Sequence, residues 1–230
     1  MNYILMNKEM AIKTSKGDKT QTRRAVVKLY DSSLLNPIEH KIAFKDAPKD
    51  LEFRNLQGLD TVCPLFYSRS RNKFYCGDII KYKIGDTIWV REPAIVTNYI
   101  STYFNTKIDY QLKSDKTKEY RIDLPIRFLP NPKKWIKECQ SVPSGCIFEM
   151  AKTFLVITGI KVERLHDIGY NEINMEGFET IHKDYSDEIN KKTRYDWWVE
   201  LWDKTAQKSY KWEDNPFVIV YDFKRIGHTT

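Results

Sequence analysis

The sequence predicts an α+β protein, and three observations carry that reading. Apolar runs of strand length are spread along the chain, at Tyr3-Ile4-Leu5-Met6, Thr22 to Tyr30, Ile88-Trp89-Val90 and Phe217 to Phe223. One segment, Ser186 to Ala206, instead places Ile189, Tyr195, Trp198, Leu201 and Trp202 at helical spacing. With 230 residues, 41% hydrophobic and 13% aromatic, the chain can bury a substantial core, and no repeat or low-complexity tract interrupts it. A single domain over residues 1–230 is expected.

Tyr3 to Met6 reads as a first strand. Asn7 can cap a short helix through Met10-Ala11-Ile12, and Gly17, lacking a Cβ, can end it at positive φ. Thr22 to Tyr30 follows as strand, with Thr22 and Arg24 on one face and Arg23 on the other. Between residues 31 and 79 the period is lost, with Pro37, Pro48, Gly58 and Pro64 breaking mixed polar sequence. An irregular insertion is expected there, with one hairpin around Leu65–Tyr75, serving as a lid or a partner contact. Gly85-Asp86 turns into the strand Thr87-Ile88-Trp89-Val90-Arg91, which ends at Glu92-Pro93. Ala94–Phe104 and Lys107–Leu112 read as a hairpin. Its aromatics Tyr99, Tyr103, Phe104 and Tyr110 fit sheet packing better than base stacking. Residues 113–142 read as basic loop with a short helix near Trp135–Cys139. Phe148–Ala151 and Phe154–Arg164 read as paired strands. A helix then carries Ile168, Ile173 and Phe178 inward and closes at Gly177. The long helix 186–206 and a closing strand from Phe217 complete the fold.

The densest chemistry lies in Lys16-Gly17-Asp18-Lys19-Thr20-Gln21-Thr22-Arg23-Arg24, which joins a glycine break to two hydroxyls and four cations. Lys19 and Thr22, three positions apart in a turn entering a strand, can converge on one point. Such a set suits an anionic or carbonyl-bearing ligand, although a solvated basic turn has the same composition. The pattern Gly17-x-Lys19-Thr20-x-Thr22-x-Arg24 resembles the signature of the ASCH domain, a PUA-like β-barrel family. The stretch Gly85-Asp86-Thr87-Ile88-Trp89-Val90-Arg91-Glu92 is similar to a segment of the longer ASCH-like proteins of phage and prophage genomes. The resemblance implies a PUA-like mixed β-barrel with flanking helices, enlarged by insertions. One small bacterial branch of that family hydrolyses N(4)-acetylcytidine with a lysine, a threonine and a downstream glutamate. The matching positions here are Lys19, Thr22 and Glu176. Where the phage relatives carry a Pro-Arg-Trp-Ala-Ser-Arg run, this chain has Phe148 to Thr153 and lacks the arginines.

Charge points the same way. The net charge is +7, and residues 1–28 alone hold seven cations against Glu9 and Asp18; a second basic patch runs from Lys113 to Lys137. A modified nucleoside, RNA or another nucleic acid is the expected partner. Lys8 and Glu9 interrupt the apolar start and no run reaches membrane length, so a cytoplasmic protein without membrane contact is expected. Cys63, Cys76, Cys139 and Cys146 form no Cys-x-x-Cys pair, which predicts reduced thiols, no metal and no cofactor.

On the enzyme reading, Thr22 is the nucleophile, Lys19 its activator once cationic neighbours and partial burial free the amine, and Glu176 the proton shuttle. Thr20, Arg23, Arg24, Trp89, Arg91 and Glu92 are the candidate substrate contacts, with Arg24 or Arg91 steadying an oxyanion or holding a phosphate. A module that only binds RNA, DNA or a nucleotide and a metal-free ribonuclease are the alternatives.

Overall fold

The computed structural model describes residues 2–31, 41–43, 47–57, 63–78, 80–125, 134–137, 141–142, 146–179, 187–207 and 210–227. Among the described residues strand predominates, at 47% against 24% helix, within an α+β architecture. No sheet among the described residues closes into a barrel. The chain divides into two compact units. The first comprises residues 1–20, 86–156 and 224–230, and the second comprises residues 21–85 and 157–223.

In the first unit, β1 (Tyr3–Leu5) pairs in parallel with β8 (Thr87–Arg91), Tyr3 opposite Trp89. Helix α1 (Lys8–Lys16) lies between them in sequence. Asn7 Oδ1 accepts from Met10 N at 2.8 Å at its start, and Gly17, at φ 91°, ends it as its lack of a Cβ predicts. The first residues of β13 (Phe154–Arg164) pair antiparallel with β8, Phe154 opposite Trp89. A meander of β9 (Ala94–Ser101), β10 (Asn105–Leu112) and β11 (Asp115–Pro125) covers the core, with β12 (Ser141–Val142) on the free edge of β9. Trp89, Val96, Ile108, Tyr110, Leu112, Ile136 and Met150 form that core, helix α2 (Lys134–Lys137) contributing Ile136.

Three expectations are corrected in this unit. Asp115–Pro125 is strand, not loop: its inward side (Tyr120, Ile122, Leu124) is half-buried while Lys116, Lys118 and Arg121 face out. Phe148–Met150 is a 3-10 turn, not a strand. Of the hairpin aromatics, Tyr110 is buried and its hydroxyl donates to Met150 O at 3.1 Å, whereas Tyr103 and Phe104 stand 94% and 85% exposed at the tip.

In the second unit, the predicted strand Thr22–Tyr30 is two strands, β2 (Gln21–Ala25) and β3 (Lys28–Asp31). The chain turns between them at buried Val26, and the Asp78 carboxylate accepts from Val27 N at 2.6 Å and Lys28 N at 2.9 Å. β2 then pairs antiparallel with β14 (Phe217–Ile226), Thr22 opposite Tyr221, and β13 flanks β14 on the other side. β3 enters a second sheet with β4 (Lys41–Ala43), β5 (Leu51–Gln57), β6 (Cys63–Ser68) and β7 (Lys73–Gly77), in the order β4-β3-β7-β6-β5. The expected irregular insertion is therefore largely an antiparallel sheet, and the expected hairpin is its β6–β7 pair. Gly77 is required there by close approach: a Cβ on it would lie 2.6 Å from Pro64 Cγ and 2.9 Å from the Phe66 ring.

Helices α3 (Tyr170–Met175) and α4 (Asp187–Thr205) cover the β2–β14 pair, burying Leu165, Ile168, Ile173, Trp198, Trp202, Val218 and Val220 together. Gly177, at φ 101°, follows α3 as its position predicts. Trp198 and Trp202 face inward on α4, but Ile189, expected beside them, is exposed. Residues 32–40, Cys139 and the last three residues lie outside the described residues.

Candidate functional site

Strand β2 carries the basic motif into the second unit, and Arg23 is the centre of what it builds there. Its side chain is fully buried. An unpaired guanidinium in such a place would be strongly unfavourable, so its donors must find acceptors. Nε and Nη2 both donate to Glu163 Oε1, at 3.0 and 2.8 Å. Nη2 also donates to Glu172 Oε2 at 2.9 Å, and Nη1 to Glu176 Oε1 at 3.0 Å and Gln21 Oε1 at 2.5 Å. Gln21 in turn donates to Asp222 Oδ1 at 2.6 Å. The Trp198 ring lies beneath the guanidinium, 5.8 Å from ring centre to Cζ.

Each partner arrives for a local reason. Lys161 and Glu163 alternate on β13 and share a face. Glu172 and Glu176, four apart, share one side of α3, and Glu172 also caps that helix by accepting from Gly169 N at 2.9 Å. Lys161 binds Glu163 at 2.7 Å and also Glu172. Burial alone would push the Glu172 carboxyl up, but hydrogen bonds from Lys161 and Gly169 N, with the charges of Arg23 and Lys161, hold it below the ordinary range. Burial likewise opposes charge on Lys161, and its two glutamates outweigh it and raise that ammonium. Arg23 and Lys161 thus meet Glu163, Glu172 and Glu176, with Asp222 joined through Gln21.

Of the residues singled out from the sequence, Arg23 and Glu176 are therefore brought into direct contact. Thr22 is buried beside Arg23 on β2, and Arg24, next along, is exposed and donates from Nη1 to the Arg23 carbonyl at 3.2 Å. Lys19, buried, and Thr20, half-buried, belong to the first unit. Glu163, Glu172, Lys161, Gln21 and Asp222 were not singled out. The i, i+4 spacing of Glu172 and Glu176 was the one signal that could have paired a second carboxylate with Glu176.

No protein-family model matches this chain. No curated protein and no solved structure is significantly similar to it either. Among the described residues, no three His, Cys, Asp or Glu side chains are disposed to hold a metal ion, and no helix is long and apolar enough to cross a membrane.

The first unit holds the second group of candidates. Trp89 is buried against Tyr3, ring centres 5.5 Å apart, and against Phe148 at 5.9 Å. Arg91 lies over Tyr3, 5.0 Å from its centre. Glu92 is buried to 2% exposure, and its Oε2 has no hydrogen-bond partner. Desolvation pushes its carboxyl above the ordinary range, against hydrogen bonds from Ser114 that pull the other way. Burial also pushes the neighbouring Cys146 thiol up to about 12, with the Glu92 charge adding to it.

Proposed function

We propose that this protein hydrolyses an acyl amide on a modified nucleobase of the N(4)-acetylcytidine type, as an ASCH-domain protein on a PUA-like framework. One observation carries the reading. Glu176, the carboxylate that the motif resemblance assigns to catalysis, is bound at 3.0 Å by Arg23 of the motif strand, on the face of β2 opposite to that of Thr22. What supports the reading is that the assigned glutamate is tied to the motif strand and held in a fixed position; proton transfer also requires the Thr22 hydroxyl to reach it around β2, which is the edge strand of its sheet.

In this reading the Thr22 hydroxyl attacks the acyl carbonyl, its proton taken by a base, and the C–N bond breaks to leave an ester on Thr22. Glu176 delivers a proton to the departing exocyclic amine and then takes one from the water that hydrolyses the ester. The carboxylic acid and the free base leave. Arg23 is a positioning residue, since every donor nitrogen of its guanidinium is engaged by protein acceptors. Lys19 supplies the base on the strength of the sequence pattern. The same saturation weighs against phosphate binding at Arg23, and so favours hydrolysis over a module that only holds nucleic acid.

The test is incubation with N(4)-acetylcytidine, following its conversion to cytidine chromatographically. Turnover is expected, reduced at least 100-fold in Thr22→Val, Glu176→Gln and Lys19→Ala, each checked for folding by circular dichroism. Absence of turnover on the nucleoside and on acetylated RNA would overturn the proposal.

A further inference from the structure

Two of the cysteines form a feature that amide hydrolysis does not use. On the β6–β7 pair, Cys76 lies opposite Leu65, and Cys63 is two residues before Leu65 on the same strand. The pleat therefore puts both thiols on one face of the sheet as diagonal neighbours. That face is the more exposed one, although Leu65, opposite Cys76 on it, is buried. Cys63 and Cys76 are both part-exposed, while the alternate residues Phe66, Tyr75 and Gly77 are buried. The two sulfurs hydrogen-bond to each other. Diagonal neighbours on adjacent antiparallel strands lie about 7–8 Å apart, at the edge of disulfide reach, so a small shift of one strand lets the two sulfurs bond.

We propose that Cys63 and Cys76 form a reversible dithiol–disulfide pair oxidised by hydroperoxides, with Cys76 the attacking thiolate and Cys63 the resolving thiol. The asymmetry follows from the hydrogen bond. The Cys63 thiol donates to the Cys76 sulfur and favours the thiolate there, bringing Cys76 down to about 7 and pushing Cys63 up. A thiolate favoured in this way forms at lower pH than that of an ordinary thiol near 8.5. The Cys76 thiolate attacks one oxygen of hydrogen peroxide. An S–O bond forms, the O–O bond breaks, and hydroxide departs to become water with a proton from solvent. The Cys63 sulfur then attacks the Cys76 sulfenic acid, an S–S bond forms, the S–O bond breaks, and the leaving hydroxide takes the Cys63 proton as a second water. The two sulfurs lose two electrons and the peroxide gains them. The product staples β6 to β7 and a thiol reductant reverses it.

The experiment treats the full chain with hydrogen peroxide under native conditions at pH 7, blocks remaining thiols with an alkylating agent, and maps the peptides by mass spectrometry. Expected is a loss of two hydrogens, in a linkage joining the Cys63 and Cys76 peptides that dithiothreitol reverses. In Cys63→Ser, Cys76 should stop at a sulfenic acid trapped by a cyclic dione. In Cys76→Ser, thiol oxidation should slow about tenfold. In the untreated protein, Cys76 should alkylate about tenfold faster than buried Cys146. A linkage through any other cysteine, or Cys63 and Cys76 remaining fully alkylatable after peroxide, overturns the proposal. The wild-type map decides this even if a variant folds poorly.

Discussion

Replacing Arg23 with Met keeps much of the side-chain volume and removes the charge at the centre of the carboxylate cluster. Summing its five charge-assisted hydrogen bonds at about 1.5–3 kcal/mol each would give an implausible total, because they share one desolvated group. The relevant cost is that of leaving buried carboxylates without their cation, about 3–5 kcal/mol. Glu176 dominates that cost at 3% side-chain exposure, while Glu163 and Glu172, at 12% and 21%, regain some solvation and keep Lys161. Against a typical total stability of about 5–15 kcal/mol the loss is large. It should lower the urea midpoint by about 1–2 M and Tm by about 10 °C. The pH dependence identifies the cause. Glu172, held below its ordinary range, stabilises the wild type above the unfolded carboxylate pKa, and that contribution is lost as pH falls through the folded value. In Arg23→Met the carboxylates take up protons more readily, so the deficit should shrink as pH drops from 7 toward 4. A deficit below about 1 kcal/mol at pH 7, or one independent of pH, would refute the reasoning.

Glu92→Gln should act in the opposite sense. With its folded pKa raised, Glu92 lowers stability progressively as pH rises from the unfolded value near 4.3 through the folded one, so the variant should gain about 1 kcal/mol, or 2–4 °C, at pH 8 and nothing below pH 4 by thermal denaturation. Gly159→Ala puts a Cβ 2.5 Å from Asp222 Oδ2 and should push that carboxylate off Gln21, costing about 1–3 kcal/mol in urea unfolding; an unchanged midpoint would show that Asp222 moves freely. Tyr103→Ser with Phe104→Ser, at the exposed hairpin tip, should change stability by less than about 0.5 kcal/mol, and a larger loss would mean the tip is packed.

What the sequence disclosed was what local chemistry controls. The Asn7 cap, the Gly17 and Gly177 stops, the Trp198 and Trp202 stripe and the β9–β10 hairpin depend on neighbours in sequence, and each was legible. The sheet from β3 to β7 was not. Tyr30 pairs with Cys76 across the whole insertion, and Pro64, which argues against a strand by itself, is accommodated by packing over Gly77. β11 was hidden because its outward residues are lysines, threonine and arginine, which read as loop when the half-buried face is unknown. Glu176 was singled out through motif resemblance, yet its bond to Arg23 spans 153 positions that no local pattern connects. Glu163 and Glu172 look like surface charges until β13 and α3 turn them toward the same guanidinium.

The sharpest test is to find where the acyl group goes. Rapid quenching of the wild-type protein mixed with N(4)-acetylcytidine, followed by peptide mass spectrometry, should find one acetyl group on the hydroxyl of Thr22 and none in Thr22→Val. Acetylation confined to Lys19, or deacetylation continuing at the wild-type rate in Thr22→Val, would contradict the account.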